Sequence, residues 1–396
     1  MVVASISEVI SVGAVLPFLG ILTAPEQVYQ HALMQPLIQY LEISEPDQLI
    51  LPLTIVFIIA ALFAGIIRLT LLYATTRLSY ATGADISINI YRRTLYQEYA
   101  VHVARNSSEV INGIINKTNT VIGSILTPIL ILMSSIFLLI GVMGVLFFID
   151  ISIALTALLG FGFLYWMVIY YTRKQLKENS QCIANQSTMM IKSLQEGMGG
   201  IRDVLIDGTQ QFYCQLYRNA DLPLRRASGD NQFISGSPRY VMEAIGMILI
   251  AILAYFMTQQ QNGMAVAIPV LGSLALGAQR LLPILQQAYS SYSLIKGSKS
   301  SFEDVLNLLD QPLPEYADQP LPKAIPFEKE IKLNNLNFSY TEGSPWVLKN
   351  VNLSLKKGSR IGFMGVTGSG KSTLLDIIMG LLPATEGGLM IDNQTI

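Results

Sequence analysis

Residues 365–372 read Gly365-Val366-Thr367-Gly368-Ser369-Gly370-Lys371-Ser372 and match the pattern G-x-x-x-x-G-K-[ST]. That spacing predicts a loop that cradles phosphate groups. Glycines let backbone N–H groups turn inward against phosphate oxygens with no Cβ in the way. The lysine is placed to reach the β- and γ-phosphates of a nucleoside triphosphate, and the Ser372 hydroxyl to ligate Mg²⁺.

Such a loop needs elements on both sides. Residues 360–364, Arg-Ile-Gly-Phe-Met, predict a short buried strand before it. Residues 372–382 predict a helix after it, ended by Pro383. The positive N-terminal end of that helix would face the phosphates.

The rest of the chain has a different character. It holds 396 residues, 13 % of them charged, with a mean hydropathy of +0.46 and a net charge of −1. Soluble domains carry about 25 % charge, so this is the composition of a membrane protein. The near-zero charge argues against a nucleic-acid partner. Cys182 and Cys214 are far apart and read as ordinary cytosolic thiols. His31 and His102 are isolated, which gives no histidine metal site.

Lys and Arg are absent from residues 1–67, 118–172 and 240–279. They cluster between and beyond those stretches, and this alternation gives both the spans and their orientation. Six spans are expected, at residues 2–22, 50–75, 120–149, 151–171, 241–257 and 264–285; each apolar stretch is near the ~20 residues a crossing requires. Two long cytoplasmic excursions fall between spans two and three and between spans four and five. Residues 296–310 predict an amphipathic helix with Phe302, Val305, Leu306 and Leu309 on one face. Residues 311–326 contain five prolines and predict a linker.

Six spans, a proline-rich linker and a nucleotide domain resemble an ABC exporter half-transporter. The run Ile331 to Tyr340 resembles the family's strand leading to its adenine-stacking aromatic. Val347 to Val351 with Lys357-Gly358, and Glu386 to Asp392, resemble the strands that flank its phosphate loop and first helix. The resemblance implies a mainly α fold: a six-helix transmembrane domain over residues 1–310, a linker over 311–327, and the N-terminal part of an α/β P-loop ATPase domain over 328–396. It implies ATP and Mg²⁺ as cofactors, with Tyr340, Gly365, Thr367, Gly368, Ser369, Gly370, Lys371, Ser372 and Thr373 binding the nucleotide and Ser372 the metal. It also implies a homodimer in a bacterial plasma (inner) membrane, with the nucleotide domain in the cytoplasm. Coupling helices are expected at the hairpin tips, near residues 99–111 and 207–218. The family's signature motif, catalytic glutamate and switch histidine are expected beyond residue 396. The chain therefore reads as a C-terminally truncated fragment, expected to be inactive toward ATP by itself.

The substrate is read from ionisable residues in the spans: Arg68, Arg239, Glu243 and Arg280. Charges in a membrane are costly and commonly face a cavity or a partner. Arg239 and Glu243 are spaced to pair along one helix face, whereas Arg68 and Arg280 have no evident acidic partner nearby in sequence. Arginines suit phosphate or pyrophosphate oxygens; snorkelling to the membrane surface is the competing account. The runs Ser237 to Gly246 and Gln279 to Pro283, and more weakly Gly13 to Phe18, resemble bacterial lipid-linked oligosaccharide flippases. That implies a lipid-linked saccharide or related amphiphile as substrate. The alternatives are a lipid or multidrug exporter and, from another class, a membrane protein that binds nucleotide without hydrolysing it.

Overall fold

The computed structural model describes the backbone of all residues except 24–25, 27–28, 30–34, 41–44, 150, 259–262, 321, 342 and 393, and within several helices it describes the backbone alone. The chain divides into two compact units, residues 1–88 with 112–306, and residues 89–111 with 307–396.

The first unit is a helical bundle. Its long elements are α1 (Val2–Thr23), α2 (Ile50–Leu95, which runs on into the second unit), α4 (Thr127–Ile149), α5 (Ile151–Gly199), α7 (Gln210–Thr258) and α8 (Gly263–Gly297). Among the described residues, Ile50–Leu95 and Ser107–Gly144 are long and apolar enough to cross a bilayer. Each expected span lies within helical backbone, and four of the helices extend well beyond it. Helices satisfy every backbone group internally, which is what a lipid environment demands. On α2 the side chains Ile59, Leu62, Phe63, Ile66 and Leu69 are all exposed. An apolar face this continuous belongs against acyl chains.

α7 packs on α5 and α8, α8 also packs on α4, and α1 packs on α4. One core cluster joins Phe161, Tyr165 and Leu176 of α5 to Ile234 and Met242 of α7 and Tyr289 of α8. A second joins Val142 and Met143 of α4 to Leu281 and Ile284 of α8. N-terminal to Thr127 the helix widens into two π-helical turns, Gly113–Lys117 and Ile122–Leu126. The Ile122 side chain there fills the space beside Gly83, where a Cβ would come within 2.2 Å of it.

Helix α9 (Lys299–Leu309) closes the bundle. Its buried residues are Ser301, Val305 and Leu308; of the face expected from sequence, Val305 is buried, Phe302 and Leu309 are half-buried, and Leu306 is 40 % exposed. The helix begins only after Gly297, and the buried row follows 301, 305, 308, an i, i+4, i+7 spacing. Lys117 Nζ reaches Asp304 at 2.5 Å and ties the π-helical region to α9.

The second unit holds α3 (Tyr99–Ala104), a four-stranded sheet and α10 (Lys371–Ile378). The strands are β1 (Glu330–Phe338), β2 (Leu348–Lys356), β3 (Glu386–Ile391) and β4 (Gln394–Thr395), in order β2-β1-β3-β4 and all antiparallel. Leu333, Leu336, Phe338, Leu348, Ile377, Leu382 and Leu389 form its core, and Tyr99 and Ala100 of α3 pack against them.

Two local expectations are corrected here. Residues 360–364 are not a strand, and Ile361 and Met364 are exposed, the latter at 95 %. A strand exists by pairing with a neighbour, and among the described residues none lies beside this segment. The helix after the loop ends at Ile378, not at Leu382. Gly380 takes φ +75°, the Gly380 N–H donates to Ile377 O and the Leu381 N–H to Asp376 O. Those two bonds are a Schellman cap, which stops the helix before Pro383 can.

The 311–318 segment, expected as linker, is gripped within the second unit by the end of α2. Arg93 Nη1 donates to Gln311 O at 2.6 Å and Gln97 Nε2 to Pro312 O at 2.7 Å. Arg92 pairs with Asp318. The second hairpin turns earlier than expected, in the short helix α6 (Ile201–Ile206), because Gly200 interrupts α5 and Gly208 makes the corner at φ +66°.

Candidate functional site

The phosphate-loop pattern folds as a tight turn closed by α10. Gly368 and Gly370 have φ of +84° and +83°, values that side-chain-bearing residues rarely adopt. At Gly370 a Cβ would lie 2.9 Å from Leu348 Cδ2 and 3.1 Å from Val347 O, so β2 seals that position. At Gly365 it would lie 2.7 Å from Ser369 Oγ. Lys371 opens α10 and turns back over the loop, its Nζ donating to Gly365 O and Val366 O, each at 2.8 Å, and to Ser369 Oγ at 3.3 Å. The ammonium therefore stands over the loop, at the positive end of the helix dipole. The Ser372 hydroxyl is exposed; Thr373, one residue on, is buried.

Tyr340 follows the end of β1. Its hydroxyl lies 2.9 Å from Thr373 Oγ1, and its ring meets Phe338 edge-on at a centroid distance of 5.0 Å. Tyr340 remains 49 % exposed. The sheet thus brings together the aromatic and the phosphate loop, and Thr373 is the residue that joins them. Its role as a tether to Tyr340 is not visible in the loop pattern.

The sheet start is fixed by Asp392. This residue, at φ +48°, accepts hydrogen bonds from the N–H groups of Glu328, Lys329 and Glu330. Those donors, Glu328 first, hold its carboxyl below the ordinary carboxylate range.

In the bundle, two cavities receive the ionisable residues. One, about 470 Å³, is lined by Glu8 and Arg68 with Ser134, Ser135, Gln279 and Gln287. The other, about 530 Å³, is lined by Arg239, Tyr240 and Glu243 with Thr127, Gln286 and Ser290. Ile131, Pro283 and Gln287 are common to both walls. Arg239 Nε donates to Glu243 Oε1 at 2.8 Å, the local pairing that the spacing allowed. Arg68 does have an acidic partner: Glu8, brought in by packing from α1. Glu8 was missed in the sequence reading. Its signal was a lone carboxylate within the apolar stretch 2–22. The Arg280 side chain, and those of residues 13–17, lie outside the described residues.

Comparison with known proteins gives two family matches. Residues 15–270 match the ABC transporter transmembrane region, and residues 348–396 match the ABC transporter domain. A multidrug export ATP-binding/permease protein of Staphylococcus aureus (strain bovine RF122 / ET3-1) is 26 % identical over 364 residues, covering 88 % of this chain and 61 % of the relative. An ATP-dependent lipid A-core flippase of Syntrophus aciditrophicus is 23 % identical over 316 residues, covering 79 % of this chain and 52 % of the relative. The chain thus spans between half and two thirds of the length of these relatives. A solved bacterial Atm1-family ABC exporter with ATP bound superposes with a TM-score of 0.63 at 18 % identity, covering 97 % of this chain and 68 % of that one.

Proposed function

The chain belongs to the ABC transporter family, and from that premise we propose that it is part of an ATP-driven exporter or flippase for an amphiphile with an anionic, glycosylated head group. The observation that carries the reading is the pairing of two features in one chain: a phosphate loop with Lys371 held over its carbonyls, and cavities in the apolar bundle that present arginine.

ATP fits the residues present. In this reading the loop amides and Lys371 take the phosphates, which compete with the loop carbonyls for the ammonium. The exposed face of Tyr340 takes the adenine. Mg²⁺ neutralises phosphate charge when bound, and the Ser372 hydroxyl is the ligand this chain offers it; a cation of this kind takes few protein ligands beside phosphate and water. Thr367, Gly368, Ser369 and Gly370 line the phosphates, and Thr373 holds Tyr340 in place. Two copies work together in a bacterial inner membrane, and closure of their nucleotide domains switches the bundle between inward- and outward-facing states. α3 and α6, at the two hairpin tips, are the proposed couplers.

For the substrate, Arg68, Arg239 and Arg280 supply the attraction for phosphate oxygens, and Glu243 and the Gln and Ser side chains supply hydrogen bonds suited to hydroxyl groups. A lipid or multidrug exporter is the second reading. It is favoured by the apolar part of the first cavity, which includes Leu71, Leu138, Val142 and Ile284, and by the name of the staphylococcal relative.

The test is ATPase activity of the full-length protein in liposomes, with and without polyprenyl-diphosphate saccharides. Lys371→Ala is expected to abolish all turnover. Arg239→Ala is expected to keep basal turnover and lose the stimulation. Stimulation by apolar drugs and not by any diphosphate lipid would select the second reading.

A further inference from the structure

We propose that Tyr240 is the platform on which a sugar ring of the head group lies in the second cavity, in a slot that Gly236 keeps open. The proposal rests on the reading that the substrate is a lipid-linked saccharide.

The fold uses some tyrosines of the bundle and leaves this one unused. Tyr165 and Tyr289 are buried, their rings meet at a centroid distance of 5.7 Å, and the Tyr165 hydroxyl donates to Gln286 Oε1 at 3.2 Å. Tyr240 is 72 % exposed, and among the described residues its ring stacks on no other and its hydroxyl has no hydrogen bond. Among the described residues that line the two cavities it is the one aromatic. A tyrosine at a membrane boundary that faced only lipid would be an anchor; this one belongs to a cavity wall.

The space beside it is also open. The side chain of a helical residue leans over the turn N-terminal to it. For Tyr240 that turn holds Gly236, which lines the same cavity. A Cβ at Gly236 would meet nothing within 4 Å, so packing does not require glycine there, and glycine is a weak helix former. Gly123, from the second π-helical turn, lines the cavity with the same freedom. Two glycines with no steric need leave room for a ligand to approach the backbone.

The rest of the wall suits hydroxyl groups. Gln286 is fixed from both ends, by Tyr165 and by its own Nε2 donating to Ser235 O at 2.9 Å. One N–H and one lone pair of its amide remain for a ligand. Glu243 offers acceptor oxygens and Arg239 donors, and the bond between them holds both in place. A sugar ring matches all of this at once. Its C–H groups meet the negative face of the tyrosine ring, and its hydroxyls each donate and accept. An acyl chain would match Tyr240 and leave the polar groups desolvated and unpaired. A bare phosphate would meet the Glu243 carboxylate and leave the ring unused.

The experiment uses the full-length protein in detergent micelles. A fluorescent polyprenyl diphosphate is displaced by the same lipid, either bare or bearing a disaccharide. Wild type is expected to bind the glycosylated lipid at least tenfold more tightly than the bare one. Tyr240→Phe, which keeps the flat ring, is expected to retain that preference within about threefold. Tyr240→Leu, which keeps apolar bulk without a flat face, is expected to lose it, with binding of the bare lipid changed less than twofold. Gly236→Leu fills the slot and is expected to do the same. A retained preference in both leucine variants overturns the proposal and leaves the lipid-linked saccharide reading standing. Equal loss of both lipids in Tyr240→Leu also overturns it, because the ring would then serve the bundle and not the sugar. If wild type does not distinguish the two lipids, or binds neither, the saccharide reading falls and this proposal falls with it.

Discussion

Lys371, Tyr340 and Gly370 each make a claim that one substitution can test. Lys371→Ala removes the side chain that bonds Gly365 O and Val366 O, and nucleotide affinity is expected to drop by more than tenfold in a fluorescent-ATP titration. Tyr340→Phe retains the ring and loses the bond to Thr373. A hydrogen bond is worth about 0.5–1.5 kcal/mol, so affinity is expected to fall by only a few-fold. Tyr340→Ala also loses the stacking surface, worth about 1–3 kcal/mol, and its loss is expected to be clearly larger. Equal effects of Phe and Ala would show that the ring does not touch the base. At Gly370 an alanine is strained by its φ and by Leu348 and Val347 together, so destabilisation of about 2 kcal/mol or more is expected in chemical denaturation.

Among the elements, the asymmetry of the Lys117–Asp304 pair makes a sharper test than its existence. The Lys117 side chain is 7 % exposed and that of Asp304 41 %. Asp304→Asn leaves an enclosed ammonium without its counter-charge, a loss of about 2–3 kcal/mol. Lys117→Met removes the enclosed charge itself and leaves a carboxylate that water already reaches, so it is expected to cost less. Thermal unfolding of the two variants in detergent decides the order. The Asp392 turn adds a pH dependence. Its folded pKa lies below the unfolded value of about 3.9. The turn's contribution is therefore complete above pH ~4 and is lost as pH falls through the lower, folded value. The protection of the Glu328, Lys329 and Glu330 amides relative to their intrinsic exchange rates is expected to fall as pH drops through that range in wild type, and to be low throughout in Asp392→Asn.

For the whole molecule, the distribution of basic residues makes an orientation claim that the protein's own cysteines can report. Cys214 is exposed at the start of α7 and Cys182 is half-buried in α5. Both lie in the segment assigned to the cytoplasm by its Lys and Arg content. A membrane-impermeant maleimide is expected to leave intact spheroplasts unlabelled at Cys214 and to label inside-out vesicles, with Cys182 slower. Labelling of Cys214 from outside would reverse the orientation.

How much of this was legible beforehand depended on how local the cause was. The loop pattern and the helical spans were visible because each is encoded by neighbours in sequence, glycine at fixed offsets and apolar runs of membrane length; the strands within 331–340 and 386–392 were expected from the family resemblance. The Arg239–Glu243 pair was visible for the same reason, being one helical turn apart. The misplaced features share the opposite property. The helix end was expected at Leu382 from Pro383 and falls at Ile378, because the cap at Gly380 is chosen by backbone geometry that composition does not display. Segment 360–364 has strand composition, yet strand structure depends on a neighbour from elsewhere in the chain. Glu8 and Arg68 are joined by packing between α1 and α2, and the Tyr340–Thr373 bond by the way the sheet carries the loop. The sequence by itself determined where the phosphate-loop pattern lies and which segments are apolar and long enough for a membrane, since side-chain type and local period decide both. Only the tertiary structure decided which charges meet, because an ion pair between distant segments exists through the packing that encloses it.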